Sequence, residues 1–235
     1  MTPFLVVGAG RGGTSLVAGL LDHHPDLEVA FEAFSHTILL GRPLPDEVEG
    51  SAEARAAAFV AACRRQAATR STRWGNKITT EQIAGLEVMP GEEPSPHPGT
   101  GLAAFANAVR GIPIVFVVRD PRTCVRSKMS RAGMEQSEAV RRWRYAVAAM
   151  DTLAAEPSTL RIRFEDLVLQ PLGVLPAVCR HLGVPYVTDM LSGVENAKMV
   201  ADYRRPGLDR APLRVSEPLP GESDLTVMAQ RLGYA

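Results

Sequence analysis

Residues 4–25 read Phe4-Leu5-Val6-Val7-Gly8-Ala9-Gly10-Arg11-Gly12-Gly13-Thr14-Ser15-Leu16-Val17-Ala18-Gly19-Leu20-Leu21-Asp22-His23-His24-Pro25. Phe4–Val7 is an apolar run of strand length. Gly8–Gly13 sets four glycines around Arg11. From Thr14, apolar residues recur at helical spacing (Leu16, Val17, Leu20, Leu21) until Pro25 ends the pattern. Strand, glycine loop and helix N-terminus in this order aim backbone N–H groups and the positive end of a helix dipole at one spot, which favours an anion, above all phosphate. Gly8-x-Gly10-x-x-Gly13 matches a dinucleotide fingerprint, with Glu28 or Glu32 as the later acid. Gly8 with Gly13-Thr14-Ser15 nearly matches a nucleotide-triphosphate loop in which Thr14 occupies the lysine position.

Outward from this stretch, strands and helices alternate. Leu27–Phe31 is a second short strand that ends at Glu32, and residues 33–40 are expected to be helical. The alanine-rich segment 51–68 is a helix with Ser51 as its N-cap. Residues 73–79 form a short strand with Lys77 near its end. Residues 112–118 form the strongest strand, continuous and β-branched, hence central and buried on both faces. A helix opens at Pro121. Further helices follow at 102–109, 138–153, about 172–182 and about 222–232, and a strand at 159–164. Residues 41–50, 87–101 and 187–221 read as loops and are expected to shape a substrate pocket, with 87–101 a candidate lid. The pattern predicts an α/β fold: one P-loop-type three-layer domain over 1–235, with a central parallel sheet flanked by helices.

The 235 residues suffice for a sizeable core. Formal net charge is zero, so no general electrostatic case for a nucleic-acid partner exists. The three cysteines, at 63, 124 and 179, have no metal-ligand spacing and read as small buried thiols of a cytoplasmic protein. No acidic cluster of the kind that holds a metal is visible, so no metal is expected. No segment resembles a signal peptide or a membrane span.

Arg119 ends the central strand and Ser127 lies eight residues later, on the expected helix. The two converge on one anion only if the turn folds the Arg119 side chain back. Here a resemblance becomes specific. Arg11-Gly12-Gly13-Thr14-Ser15 resembles the 5′-phosphosulfate loop of sulfotransferases that use 3′-phosphoadenosine 5′-phosphosulfate (PAPS), with Gly12 where that family commonly has a serine. Residues 117–127, Val-Val-Arg-Asp-Pro-Arg-Thr-Cys-Val-Arg-Ser, resemble its 3′-phosphate motif. Trp74-Gly75-Asn76-Lys77, Arg163-Phe164-Glu165-Asp166-Leu167-Val168 and Leu232-Gly233-Tyr234 resemble further elements, in order along nearly the whole chain. The pattern is most similar to tyrosylprotein and bacterial sulfotransferases.

The resemblance implies PAPS as donor, with no metal, and sulfuryl transfer to a small-molecule or glycan hydroxyl. It implies that Arg11 holds the 5′-phosphate, that Gly12, Gly13, Thr14 and Ser15 donate to the same group, and that Arg119, Ser127 and Arg131 bind the 3′-phosphate side. Lys77 would supply a second cation to the transferring sulfonate. Glu32, 21 residues after Arg11, matches the position of a glutamate base in the tyrosylprotein enzymes. His36 is the reserve base, on the same face if 33–40 is helical. Tyr203, Arg204 and Arg205 form either a solvated basic loop or a flap over the nucleotide. The alternatives are a P-loop phosphotransferase, with Asp120 as the metal carboxylate, an NAD(P)-binding oxidoreductase, and a nucleotide sensor without chemistry.

Overall fold

The computed structural model describes residues 1–213 and 223–234. The end of the expected 187–221 loop, and residue 222 of the last expected helix, lie outside the described residues. Five strands form one sheet: β1 (Phe4–Gly8), β2 (Leu27–Phe31), β3 (Arg73–Thr79), β4 (Ile114–Val118) and β5 (Thr159–Arg163). All pairs are parallel, in the order β2-β3-β1-β4-β5. Every β1 and β4 residue is buried, which is why both strands read as continuous apolar runs. β4 starts at Ile114 rather than at residue 112. Pro113 has no N–H to give the ladder, although its carbonyl accepts from the Leu5 amide at 2.9 Å.

The helices are α1 (Thr14–Asp22), α2 (Ala52–Ala68), α3 (Thr80–Ile83), α4 (Thr100–Ala108), α5 (Pro121–Ala132), α6 (Gln136–Ala154), α7 (Phe164–Leu169), α8 (Pro171–His181) and α9 (Ser223–Arg231). Side chains alternate along each strand, so the sheet divides the apolar residues between two cores. Leu5, Val7, Trp74, Ile78 and Phe116 pack with α2, α4, α5, α6 and α9 on one face. Phe4, Val6, Val29, Val115 and Val117 pack with α1, α7 and α8 on the other. The result is the expected three-layer α/β architecture. Cys63, Cys124 and Cys179 are free and buried within these cores. No described helix is long and apolar enough to cross a membrane.

Local chemistry sets the ends near the sheet's carboxyl edge. The Ser51 hydroxyl accepts from the Ala54 amide at 3.3 Å, as its N-cap reading predicts. Asp120 caps α5 by accepting from the Arg122 amide at 2.8 Å, with Pro121 in the first turn. Residues 33–40 do not form the expected α-helix. Glu32 and Phe34 both adopt left-handed backbone (φ 66° and 64°), and a single π-turn, Ser35–Leu39, follows. Arg55 of α2 fixes that turn from below. Its fully buried guanidinium donates to the carbonyls of Ile38, Leu39, Gly85 and Val88, which compensate a charge that burial would otherwise penalise heavily.

Candidate active site

A cleft of about 770 Å³ opens at the carboxyl ends of β1, β2, β3 and β4. This is the edge at which parallel α/β sheets bind ligands. Its floor is the loop between β1 and α1. Arg11 sits in the left-handed region (φ 68°), and its carbonyl accepts from Arg119 Nη1 at 2.9 Å. The Gly12 amide donates to the Ala9 carbonyl at 2.8 Å. Gly13 has φ 94°, and a Cβ there would stand 2.2 Å from Cδ2 of Phe164. Both facts require glycine. Gly13→Ala is expected to lower stability by about 2–4 kcal/mol, from left-handed strain plus overpacking, as read by denaturant unfolding. The position where the resembling family commonly has serine, Gly12, is also tight: a Cβ would meet the Ala9 carbonyl oxygen at 2.7 Å.

Arg119 and Ser127 converge on this loop from the β4–α5 turn. The Arg119 side chain does fold back, with Nε donating to Thr123 Oγ1 at 3.0 Å and its guanidinium 4.8 Å from the centre of the Phe164 ring. Ser127 Oγ accepts from Arg11 Nε at 3.2 Å, across a separation of 116 residues. Arg131, one turn further along α5, lines the same cleft together with Thr14 and Ser15. Burial, and then the neighbouring Arg131 and Arg119 charges, pull the Arg11 guanidinium below its ordinary value. The cleft therefore gathers positive charge that an anion would relieve.

Glu32 and Lys77 meet at the other end. β2 pairs with β3 so that Phe31 lies opposite Lys77, and the Glu32 amide donates to the Lys77 carbonyl at 2.8 Å. Asn76 then clamps the next residue from both sides: Oδ1 accepts from the Ala33 amide at 3.1 Å, and Nδ2 donates to the Ala33 carbonyl at 2.7 Å. These contacts hold the left-handed backbone of Glu32. Its side chain is 42% exposed and reaches into the cleft, where Oε1 forms an ion pair with Lys77 Nζ, itself only 7% exposed. Glu32 Oε2 accepts from Gln82 Nε2 at 2.9 Å. The carboxylate thus lies among polar partners.

Nine of the residues given a donor-binding or catalytic role line this cleft: Arg11, Gly13, Thr14, Ser15, Glu32, Lys77, Arg119, Ser127 and Arg131; Gly12 lies in the loop beneath it, with its amide bonded to the Ala9 carbonyl rather than presented to an anion as expected. His36 does not line it. The left-handed turns at Glu32 and Phe34 break the helical register that would align it with Glu32, and its Nδ1 bonds the Arg42 carbonyl at 2.9 Å on the surface. Glu28 pairs with Arg70 at 3.6 Å outside the cleft, and Asp120 forks Arg122 while capping α5. Tyr203 stacks on Arg11 at 4.5 Å, and Arg205 also lines the cleft, whereas Arg204 donates to the carbonyls of Ala197 and Met199. Residues 194–211 contribute much of the far wall. Among the described residues, neither 41–50 nor 87–101 contributes to it. Instead the Glu87 carboxylate caps α4 by accepting from the amides of Gly99, Gly101 and Leu102, and Pro94 and Pro96 lie near Glu81 and Tyr145.

Four residues that sequence reasoning passed over complete the surroundings. They are Thr123 and Phe164 against Arg119, Gln82 against Glu32, and Glu81 beneath the loop. Thr123 and Phe164 lie inside two of the stretches quoted for the resemblance, and Gln82 carried a local signal of its own. Thr79-x-x-Gln82 is a capping-box pattern, and Gln82 Oε1 accepts from the Thr79 amide at 2.8 Å.

The sequence model of the sulfotransferase family matches residues 3–189. Among solved structures, the sulfotransferase domain from the curacin biosynthetic pathway is similar at TM-score 0.64 and 16% identity, over 100% of this chain and 99% of that one. The sulfotransferase domain from the Synechococcus PCC 7002 olefin synthase gives 0.65 at 17% identity, over 99% and 94%. A mouse sulfotransferase, SULT7A1, solved complexed with PAP, gives 0.54 at 12% identity, over 98% and 85%. At these identities the likeness is one of fold. A search of curated proteins finds no significant match.

Proposed function

This chain belongs to the sulfotransferase family, and we propose that it transfers a sulfuryl group from PAPS to an acceptor hydroxyl, with Glu32 as the general base. The observation that carries the reading is the convergence in one cleft of three parts. They are the loop at the α1 N-terminus, the Arg119–Ser127 pair joined to it through Arg11, and the Glu32–Lys77 pair. The donor set suits a polyanion such as PAPS: the cations of Arg11, Arg119 and Arg131 and the hydroxyls of Thr14, Ser15 and Ser127 gather in one cleft, and the crowding of the three arginines favours an anion between them.

PAPS supplies a sulfuryl group on an activated phosphosulfate bridge. Arg11 and the amides of Gly13, Thr14 and Ser15 hold the 5′-phosphate side and stabilise charge as it develops on the departing oxygen. Arg119, Ser127 and Arg131 orient the other end of the nucleotide. Lys77 neutralises the sulfonate, and Glu32 takes the acceptor's proton as the new oxygen–sulfur bond forms. As in phosphoryl transfer, positioning and charge stabilisation dominate. The acceptor class in this reading is a small-molecule or glycan hydroxyl admitted beside residues 194–211.

Calorimetric titration with 3′,5′-adenosine diphosphate (PAP), 5′-AMP, NADH and ADP–Mg²⁺ tests the donor. PAP is expected to bind about 10- to 100-fold more tightly than 5′-AMP, the value of one or two charged hydrogen bonds, and Arg119→Ala to erase that difference. Preferential binding of NADH or ADP–Mg²⁺ would overturn the proposal.

A further inference from the structure

Beneath the donor loop lies an ion pair, buried at its lysine and largely buried at its glutamate, that no step above uses. Glu81, in α3, projects upward so that Oε2 accepts from the Gly10 amide at 2.8 Å, while Oε1 pairs with Lys128 Nζ. Lys128 is 2% exposed. Burial alone would raise the Glu81 carboxyl, but the Lys128 charge and the Gly10 amide outweigh it and hold the carboxyl below its ordinary value. An ionised carboxylate is therefore fixed under the loop of an anion-binding cleft, where by charge alone it is unfavourable.

Its partners explain the placement. Gly10 directly precedes Arg11. The loop is pinned at three successive points: Gly10 by Glu81, the Arg11 carbonyl by Arg119, and the Gly12 amide by Ala9. Lys128 is the residue after Ser127, on the helix that also carries Arg131. α3 directly follows β3, the strand that bears Lys77. One ion pair thus ties together three of the chain segments that line the cleft.

We infer that Glu81 is a positioning residue for the donor. Its acceptance of the Gly10 N–H turns that amide away from the cleft and sets the left-handed Arg11, so that the guanidinium, not the Gly10 amide, meets the donor's phosphate. Lys128 holds the carboxylate in place and compensates its charge. The inference rests on the donor reading above.

Glu81→Ala alone would strand the Lys128 charge and confuse folding with function. The informative comparison uses two double variants. Glu81→Gln with Lys128→Met removes both charges but keeps an acceptor for the Gly10 amide. Glu81→Leu with Lys128→Met removes the acceptor as well. The second is expected to bind PAP about tenfold more weakly than the first, the worth of one orienting hydrogen bond. The Gly10 amide proton resonance, recorded without ligand, is expected to move upfield only in the second. Equal PAP affinities in the two variants, or affinities that follow melting temperature rather than the Gly10 resonance, would overturn the inference. If the parent protein itself fails to bind PAP, the donor reading has failed instead.

Discussion

Replacing Glu32 by Gln is expected to lower kcat about 10²- to 10⁴-fold, the usual value of a positioned general base. The measurement is transfer of labelled sulfate from PAPS to the best acceptor in a panel of phenols, aliphatic alcohols and sugars. Gln retains the size of the side chain and an oxygen that can accept from Gln82 or Lys77, so the left-handed turn at position 32 has no cause to move. What disappears is the capacity to take a proton, together with the negative charge beside Lys77. Removing that charge from a cleft built of arginines leaves PAP affinity unchanged or tighter, so the loss falls on kcat and not on donor binding. Turnover within about tenfold of the parent would remove Glu32 from the role of base.

Lys128→Met is expected to cost about 3–5 kcal/mol at pH 7, because it leaves the Glu81 carboxylate buried without its counter-charge. The pH dependence separates this from simple loss of packing. In the parent protein the Glu81 carboxyl is held below its ordinary value of 4.5, so its stabilising contribution is complete above that pH and is lost as pH falls through the depressed native value. With Lys128 gone, burial, the largest influence on this group, is opposed only by the Gly10 and Glu81 amides, and the carboxyl is expected to rise above its ordinary value. The sign reverses: the folded state then binds a proton more readily than the unfolded chain, and stability is regained as pH falls from 7 toward 5. Denaturant unfolding at the two pH values is expected to show the gap between parent and variant narrowing at the lower one. A constant or widening gap would mean that the carboxylate is not the source of the loss.

The parts of the cleft that sequence reveals are those whose chemistry is local. The run from Phe4 to Leu21 specifies strand, loop and helix through residues that are neighbours in the chain, and Gly13 is required by its own φ as well as by Phe164. Arg119 and Ser127 are likewise set by one strand end and one helix. His36 shows the limit. Its alignment with Glu32 depended on helical continuity, and two left-handed residues, Glu32 and Phe34, remove that continuity, with Glu32 and Ala33 held by long-range bonds to Lys77 and Asn76. The loops at 41–50 and 87–101 show it again. Their composition marks them as loops, but composition does not say which edge of the sheet a loop covers.

The alternation of strands and helices, the two-faced burial of β4 and the glycine loop opening a helix were all legible in the chain. Each of these follows from periodicity and backbone preference within a few residues. That β3 lies between β2 and β1, which carries Glu32, Lys77, Glu81 and Gln82 to the rim and underside of a loop some 20 to 70 residues away, is a property of the folded chain alone. Strand order is fixed by which apolar faces pack together and which crossovers can close. Those are sums over the whole core, and no single stretch of chain contains them.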